Sequence, residues 1–81
     1  MLAAFMVDRL PTVKVRAVIR ALLRAGFYVH HQTGSHMRLI YRLNTKRKIT
    51  VPVHAGDLPR SLLKSILKQA KLSLKEFEHY L

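Results

Sequence analysis

The sequence predicts a small α+β domain of element order α-β-β-β-α, with a three-stranded antiparallel sheet, helices on one face of it and a short C-terminal helix. Three observations predict this. Two segments, one early and one late, carry apolar residues at helical spacing. Between them the period switches to two in three short runs separated by turn residues. The chain has 81 residues, 49% of them hydrophobic, which allows one packed core and no second domain.

Residues 12–25 read as the first helix, with Thr12 as its N-cap and Val15, Val18, Ile19, Leu22 and Leu23 as an apolar stripe. Arg16, Arg20 and Arg24 repeat every four residues on the solvent side. Gly26 stands where a left-handed residue ends a helix. From Phe27 alternation takes over. Phe27, Val29 and His31 share one face of the first strand, and Tyr28, His30 and Gln32 the other. Thr33-Gly34-Ser35 is a turn. Met37, Leu39 and Tyr41 then alternate with His36, Arg38, Ile40 and Arg42. The polar stretch Asn44 to Arg47 makes the next turn, and Ile49, Val51 and Val53 alternate with Lys48, Thr50, Pro52 and His54. Short loops make the three strands an antiparallel meander. Pro52 cannot donate to a ladder, so the third strand is an edge.

Ala55-Gly56-Asp57 breaks the sheet, and Pro59 suits the start of a second helix with Leu62, Leu63, Ile66, Leu67 and Ala70 inward and Arg60, Lys64 and Lys68 outward. Ser73-Leu74-Lys75-Glu76 fits a capping box that opens a last helix, with Leu74, Phe77 and Leu81 facing inward. Both long helices need an apolar partner, and one sheet face is the only large one available, so they cover it together. His36, Arg38, Arg42 and Lys48 stay on the open face. Residues 1–11 form a lead-in outside the single domain at 12–81, or Met6 is the true start.

Fifteen Lys and Arg against four acidic residues give a formal net charge of +11, which points to a polyanionic partner, nucleic acid first. No apolar run approaches the ~20 residues of a membrane span, and the opening residues make a poor signal peptide. The absence of Cys excludes disulfides, thiolate chemistry and Cys-based zinc sites, so a cytoplasmic location is the default. Asp8, Asp57, Glu76 and Glu78 lie outside the sheet and form no catalytic pair, which argues against metal-dependent phosphodiester cleavage. No phosphate-binding loop or dinucleotide fingerprint is present.

Histidine remains, since it moves protons near neutral pH. RNA brings its own nucleophile, the 2′-hydroxyl, and basic side chains stabilise the charge that builds on phosphate. His36 ranks first of five. It follows Gly34-Ser35 at the start of the middle strand, on the open face and two residues from Arg38, where a glycine allows close backbone approach. The blander reading is a surface histidine beside a turn. A plain register that sets Tyr41 opposite Ile49 also sets His36 opposite His54, an acid–base pair if the register holds and a mere strand end otherwise. The second proton-transfer group is left to His54, Ser35 or water. His30 lies on the open face, His31 packs on the core side, and His79 sits in a last helical turn. Three histidines on one face suggest zinc, but their spacing matches no standard site, and neither metal nor cofactor is expected. Ser35, Arg38, Arg42, Lys46, Arg47, Lys48, Lys64 and Lys68 are the candidate RNA contacts, although a basic stripe opposite an apolar one is what any amphipathic helix shows.

Four pieces in register, Ala25-Gly26-Phe27, Gln32-Thr33-Gly34-Ser35-His36, Ile49-Thr50-Val51-Pro52-Val53-His54 and Leu63-Lys64-Ser65-Ile66-Leu67-Lys68-Gln69-Ala70, resemble HicA toxins over residues 12–80. The resemblance implies a fold like the double-stranded-RNA-binding domain. It also implies a ribosome-independent mRNA interferase of a type II toxin–antitoxin system, and a HicB-type antitoxin that blocks the active site; the lack of paired carboxylates makes the expected cleavage metal-independent. The family's catalytic histidine falls at His36. A non-catalytic double-stranded-RNA-binding module is the alternative that fold and charge suit equally. The chain departs from the family pattern in residues 1–11, in a short Gly56-Asp57-Leu58-Pro59 link, and in Lys71, where a glycine often ends the second helix.

Overall fold

Val15, Val18, Ala21 and Leu22 recur at three- and four-residue intervals. In the computed structural model, which describes residues 12–81, they form the buried side of helix α1 (Val15–Arg24). The expectations for residues 1–11 lie outside the described residues. Helix α1 starts later than the sequence predicts, and Thr12 does not cap it. Lys14 holds the N-cap position with extended backbone and no side-chain capping bond.

The reason is a ladder too short to leave a period in the sequence. Val13 and Lys14 form strand β1 (Val13–Lys14), which pairs antiparallel with a second two-residue strand, Asp57–Leu58. Val13 and Leu58 are buried opposite each other, and Lys14 Nζ lies 3.3 Å from Asp57 Oδ1. That ion pair is half exposed and contributes at most about 1 kcal/mol, so the apolar pair does most of the holding. The Gly56 carbonyl accepts from the Val15 N–H at 3.0 Å, which satisfies one first-turn donor from across the ladder.

Gly26 ends α1 with φ +110°, as its sequence position predicts. A Cβ there would also lie 3.1 Å from Cε1 of Tyr41, so the site excludes side chains twice over. The meander follows as β2 (Phe27–Gln32), β3 (His36–Tyr41) and β4 (Asn44–Pro52), in spatial order β2-β3-β4, with the proline-bearing strand at an edge. The Asp57–Leu58 strand is β5.

Phe27, Leu39, Ile49 and Val51 are buried on the inner face, with Met37 and Tyr41 packed against them. Helix α2 (Arg60–Ala70) buries Leu63, Ile66, Leu67 and Ala70 and packs on β4, while α1 packs on β2 and β4. Arg16, Arg20, Arg24, Arg60, Lys64 and Lys68 all face solvent as their spacing predicts. Helix α3 (Leu74–Tyr80) opens with the predicted capping box: Glu76 N–H donates to Ser73 Oγ at 3.0 Å and Ser73 N–H to Glu76 Oε1 at 2.9 Å. It packs against α1 through buried Phe77, a contribution of roughly 1.5–3 kcal/mol. Arg24 Nη1 donates to the carbonyls of Tyr80 and Leu81 at 3.0 and 3.2 Å, closing the far end of α3. Leu81 is 44% exposed and does not face inward.

The sheet departs from the simple alternation in two places. The chain reverses at Arg42 and Leu43, two residues before the predicted turn, and Tyr41 pairs with Asn44. Thr45, Lys46 and Arg47 then bow out of the ladder before Lys48 pairs with Ile40. Leu39, not Tyr41, therefore faces Ile49, and His36 faces Pro52, not His54. Strand β2 carries a second irregularity between Val29 and His31. Val29, expected in the core, is 42% exposed. Ile40, expected on the open face, stays on it but is 5% exposed, flanked across the strands by Tyr28 and Lys48. The stems of long polar side chains cover such a position readily.

Candidate nucleic-acid interface

The turn that delivers His36 is clasped by its own side chains. Thr33 N–H donates to the His36 carbonyl at 2.9 Å, and His36 N–H donates back to Thr33 Oγ1 at 3.2 Å. Val53 N–H donates to the Ser35 carbonyl at 2.8 Å and ties the turn to the residue just past β4's last pair. His36 thus begins β3 with a fixed backbone and an exposed imidazole on the face away from the helices. Its Nδ1 lies 3.0 Å from Ser35 Oγ. A hydroxyl both donates and accepts, so this contact serves either tautomer and leaves Nε2 as the nitrogen for a substrate. Gly34 faces open space, with nothing within 4 Å of a Cβ placed on it, so packing inside the chain does not demand glycine there.

An open hollow of about 500 Å³ lies beside His36, lined by His30, His31, Thr33, His36, Arg38 and Thr50. Among the described residues, every titratable lining group is an imidazole or a guanidinium, and no carboxylate borders it. The register explains the gathering. His36, Arg38, Thr50 and Pro52 occupy one face of the β3–β4 pair by simple alternation. The irregularity in β2 adds the rest: Val29 pairs with Leu39, but His31 pairs with Arg38, so one residue of β2 is extra. His31, which plain alternation assigns to the core side, comes to the open face beside Arg38. The one hint in the sequence is that His30-His31-Gln32 offers no apolar residue where alternation wants one.

Other predicted contacts fall elsewhere. Lys46, Arg47 and Lys48 line a second hollow of about 230 Å³, together with Asn44, Gln69 and Lys71 from the end of α2. The Arg47 guanidinium stacks 4.5 Å from the centroid of the Tyr41 ring, and its buried Nε has no hydrogen-bond partner. Lys71 and Gln69 belong to this basic cleft through folding alone; no sequence spacing links them to β4. Arg42 sits exposed in the β3–β4 reversal and not in the strand. Lys64 and Lys68 are exposed on α2, on the helical side of the sheet. His54 lies beyond the ladder, with Nδ1 3.0 Å from the Ala55 carbonyl, and lines a separate hollow with Lys14, Arg16, Ala55 and Gly56. The expected pairing of His54 with His36 is overturned by the two-residue difference in register.

Among the described residues, no three His, Asp or Glu side chains gather closely enough to hold a metal ion. No helix among the described residues is long and apolar enough to cross a membrane. No curated protein sequence matches the chain. The family model of the HicA toxin of bacterial toxin–antitoxin matches residues 15–72, which span both long helices and the whole meander with its Gly34-Ser35-His36 turn. The match covers well over half of the 81 residues, and the chain therefore belongs to the HicA toxin family and is the toxin of a toxin–antitoxin pair.

Proposed function

We propose that this toxin is an endoribonuclease that cleaves mRNA in the cytoplasm without a metal ion, with His36 as its acid–base residue. The observation that carries the reading is the exposed His36 imidazole, fixed by Ser35 at 3.0 Å and set at the edge of a cationic hollow roomy enough for a nucleotide. In this reaction the 2′-oxygen of the ribose attacks the adjacent phosphorus. The new O2′–P bond forms as the P–O5′ bond breaks, giving a 2′,3′-cyclic phosphate and a free 5′-hydroxyl. One proton leaves the 2′-hydroxyl and one reaches the departing 5′-oxygen. Nε2 of His36 performs one of these transfers, and Arg38 offsets the charge gathering on the phosphate.

The placement of Asp57 and Glu76, among the described residues, supports a metal-free route. Asp57 is engaged by Lys14 and Glu76 by the Ser73 cap, and both lie away from the hollow. Ser35, Arg38, Arg42, Lys46, Arg47 and Lys48 bind the RNA backbone, and Lys64 and Lys68 add longer-range attraction. The antitoxin is a HicB-type protein with an acidic surface that occupies the His36 hollow. Purified toxin is expected to cleave single-stranded RNA with EDTA present. His36→Ala is expected to lower the rate by roughly 10²–10⁴ and keep the fold, since the side chain is exposed. Equal behaviour of parent and His36→Ala, with RNA bound by both and cut by neither, would replace this reading with that of a non-catalytic RNA-binding module.

A further inference from the structure

From the β-bulge in β2 we infer that His31 is the second proton-transfer residue, acting on the same phosphodiester as His36 and in the complementary sense. The inference rests on the endoribonuclease reading. Cleavage needs a group to take the 2′-proton and a group to supply one to O5′, and a single imidazole in one protonation state does only one of these at a time.

The sheet geometry selects the partner. His31 pairs with Arg38, and His36 lies two residues from Arg38 on the same strand and face. His31 and His36 are therefore diagonal cross-strand neighbours, a relation that sets backbone positions roughly 7–8 Å apart and within reach of aromatic side chains. A phosphodiester with a hydrogen bond of ~3 Å at each end fits between two rings so held. Both imidazoles line the 500 Å³ hollow together with Arg38, which stands opposite His31 and two residues from His36. His54 is ruled out of the role by the register, which places it in another hollow. His30 lines the hollow too, but it is the residue left without a ladder partner at the bulge, so no cross-strand neighbour fixes its direction.

Among the described residues, the groups facing His31 are Arg38 on β3, Thr50 on β4, and His30 and His36, with no carboxylate among them. In the first step one imidazole accepts the 2′-proton while the other protonates O5′. The reverse transfers restore both rings when water opens the cyclic phosphate.

The test compares parent, His31→Ala, His31→Gln, His30→Ala and His36→Ala on one RNA across pH, with dissociation constants measured separately and circular dichroism as the folding control. The expected result is that both His31 variants lower kcat at least 100-fold with KM within threefold of the parent. One limb of the parent's bell-shaped pH profile is expected to disappear, and His30→Ala to retain both limbs. Unchanged kcat in His31→Ala overturns the assignment. So does a rise in KM with kcat retained, which marks a binding contact, and so does loss of the limb in His30→Ala alone. If neither the parent nor His36→Ala cuts RNA, the endoribonuclease reading itself has failed, and if both cut equally fast, the assignment of His36 has failed. If His36→Ala is inactive while His31→Ala is not, only this inference has failed.

Discussion

Lys71→Gly should make this protein more stable. Lys71 ends α2 with φ 56° and ψ 39°, the left-handed conformation, and is the one non-glycine residue with positive φ among those described. Its N–H donates to the Lys68 carbonyl at 3.2 Å and that of Leu72 to Leu67 at 3.0 Å, the paired bonds of a Schellman end, with Leu72 packed on the core. A Cβ in this conformation costs roughly 1–2 kcal/mol, which glycine removes. Glycine also loosens the unfolded chain by roughly 0.4–1 kcal/mol. The balance is a gain of about 0.5–1 kcal/mol, which in a chain of 81 residues raises Tm by about 2–8 °C. The assay is paired thermal and urea melts of Lys71→Gly and Lys71→Ala in a His36→Ala background. Lys71→Gly should raise the urea midpoint at constant m, and Lys71→Ala, which keeps the Cβ, should not. An equal gain in both variants would refute the reasoning. It would mean that removing one charge from a chain of net +11 matters, and not the backbone conformation.

Gly26→Ala should destabilise by at least about 1 kcal/mol, because φ is +110° and the new Cβ would press on Tyr41 at 3.1 Å; a urea melt reads it. Ser73→Ala should cost about 1 kcal/mol by removing the cap of α3, measured the same way. The backbone and side-chain bonds with Ser73 hold the Glu76 carboxyl below its ordinary range. Its contribution is therefore complete above the unfolded value of about 4.3 and is lost as pH falls through the lower folded value. Glu76→Gln should remove that part of the acid dependence, and an unchanged acid-unfolding curve would contradict the assignment. Lys46→Ala and Lys48→Ala should each weaken RNA binding and flatten the slope of log affinity against log salt by roughly 0.7–0.9, with no change in the cleavage rate of saturated enzyme.

The sequence alone determined which segments are helix and which strand, because apolar spacing is a local property. Val15 to Leu22 and Leu63 to Ala70 can bury a stripe only as helices, and Leu39, Ile49 and Val51 only from one face of a pleated sheet. It placed His36 on the uncovered side for the same reason, two residues from Arg38 along one strand. The cap at Ser73 and the left-handed end at Gly26 were legible too, each resting on a few consecutive residues.

Only the tertiary structure decided what stands beside His36. Register depends on where the chain reverses and on which cross-strand pairs pack best, and periodicity does not carry that information. A reversal at Arg42–Leu43 with a three-residue bow moved His54 away from His36. One extra residue in β2 brought His31 to the open face. The Val13–Leu58 ladder and the cleft joining Lys48 to Lys71 have the same origin: their partners are far apart in sequence and meet only when the helices close over the sheet.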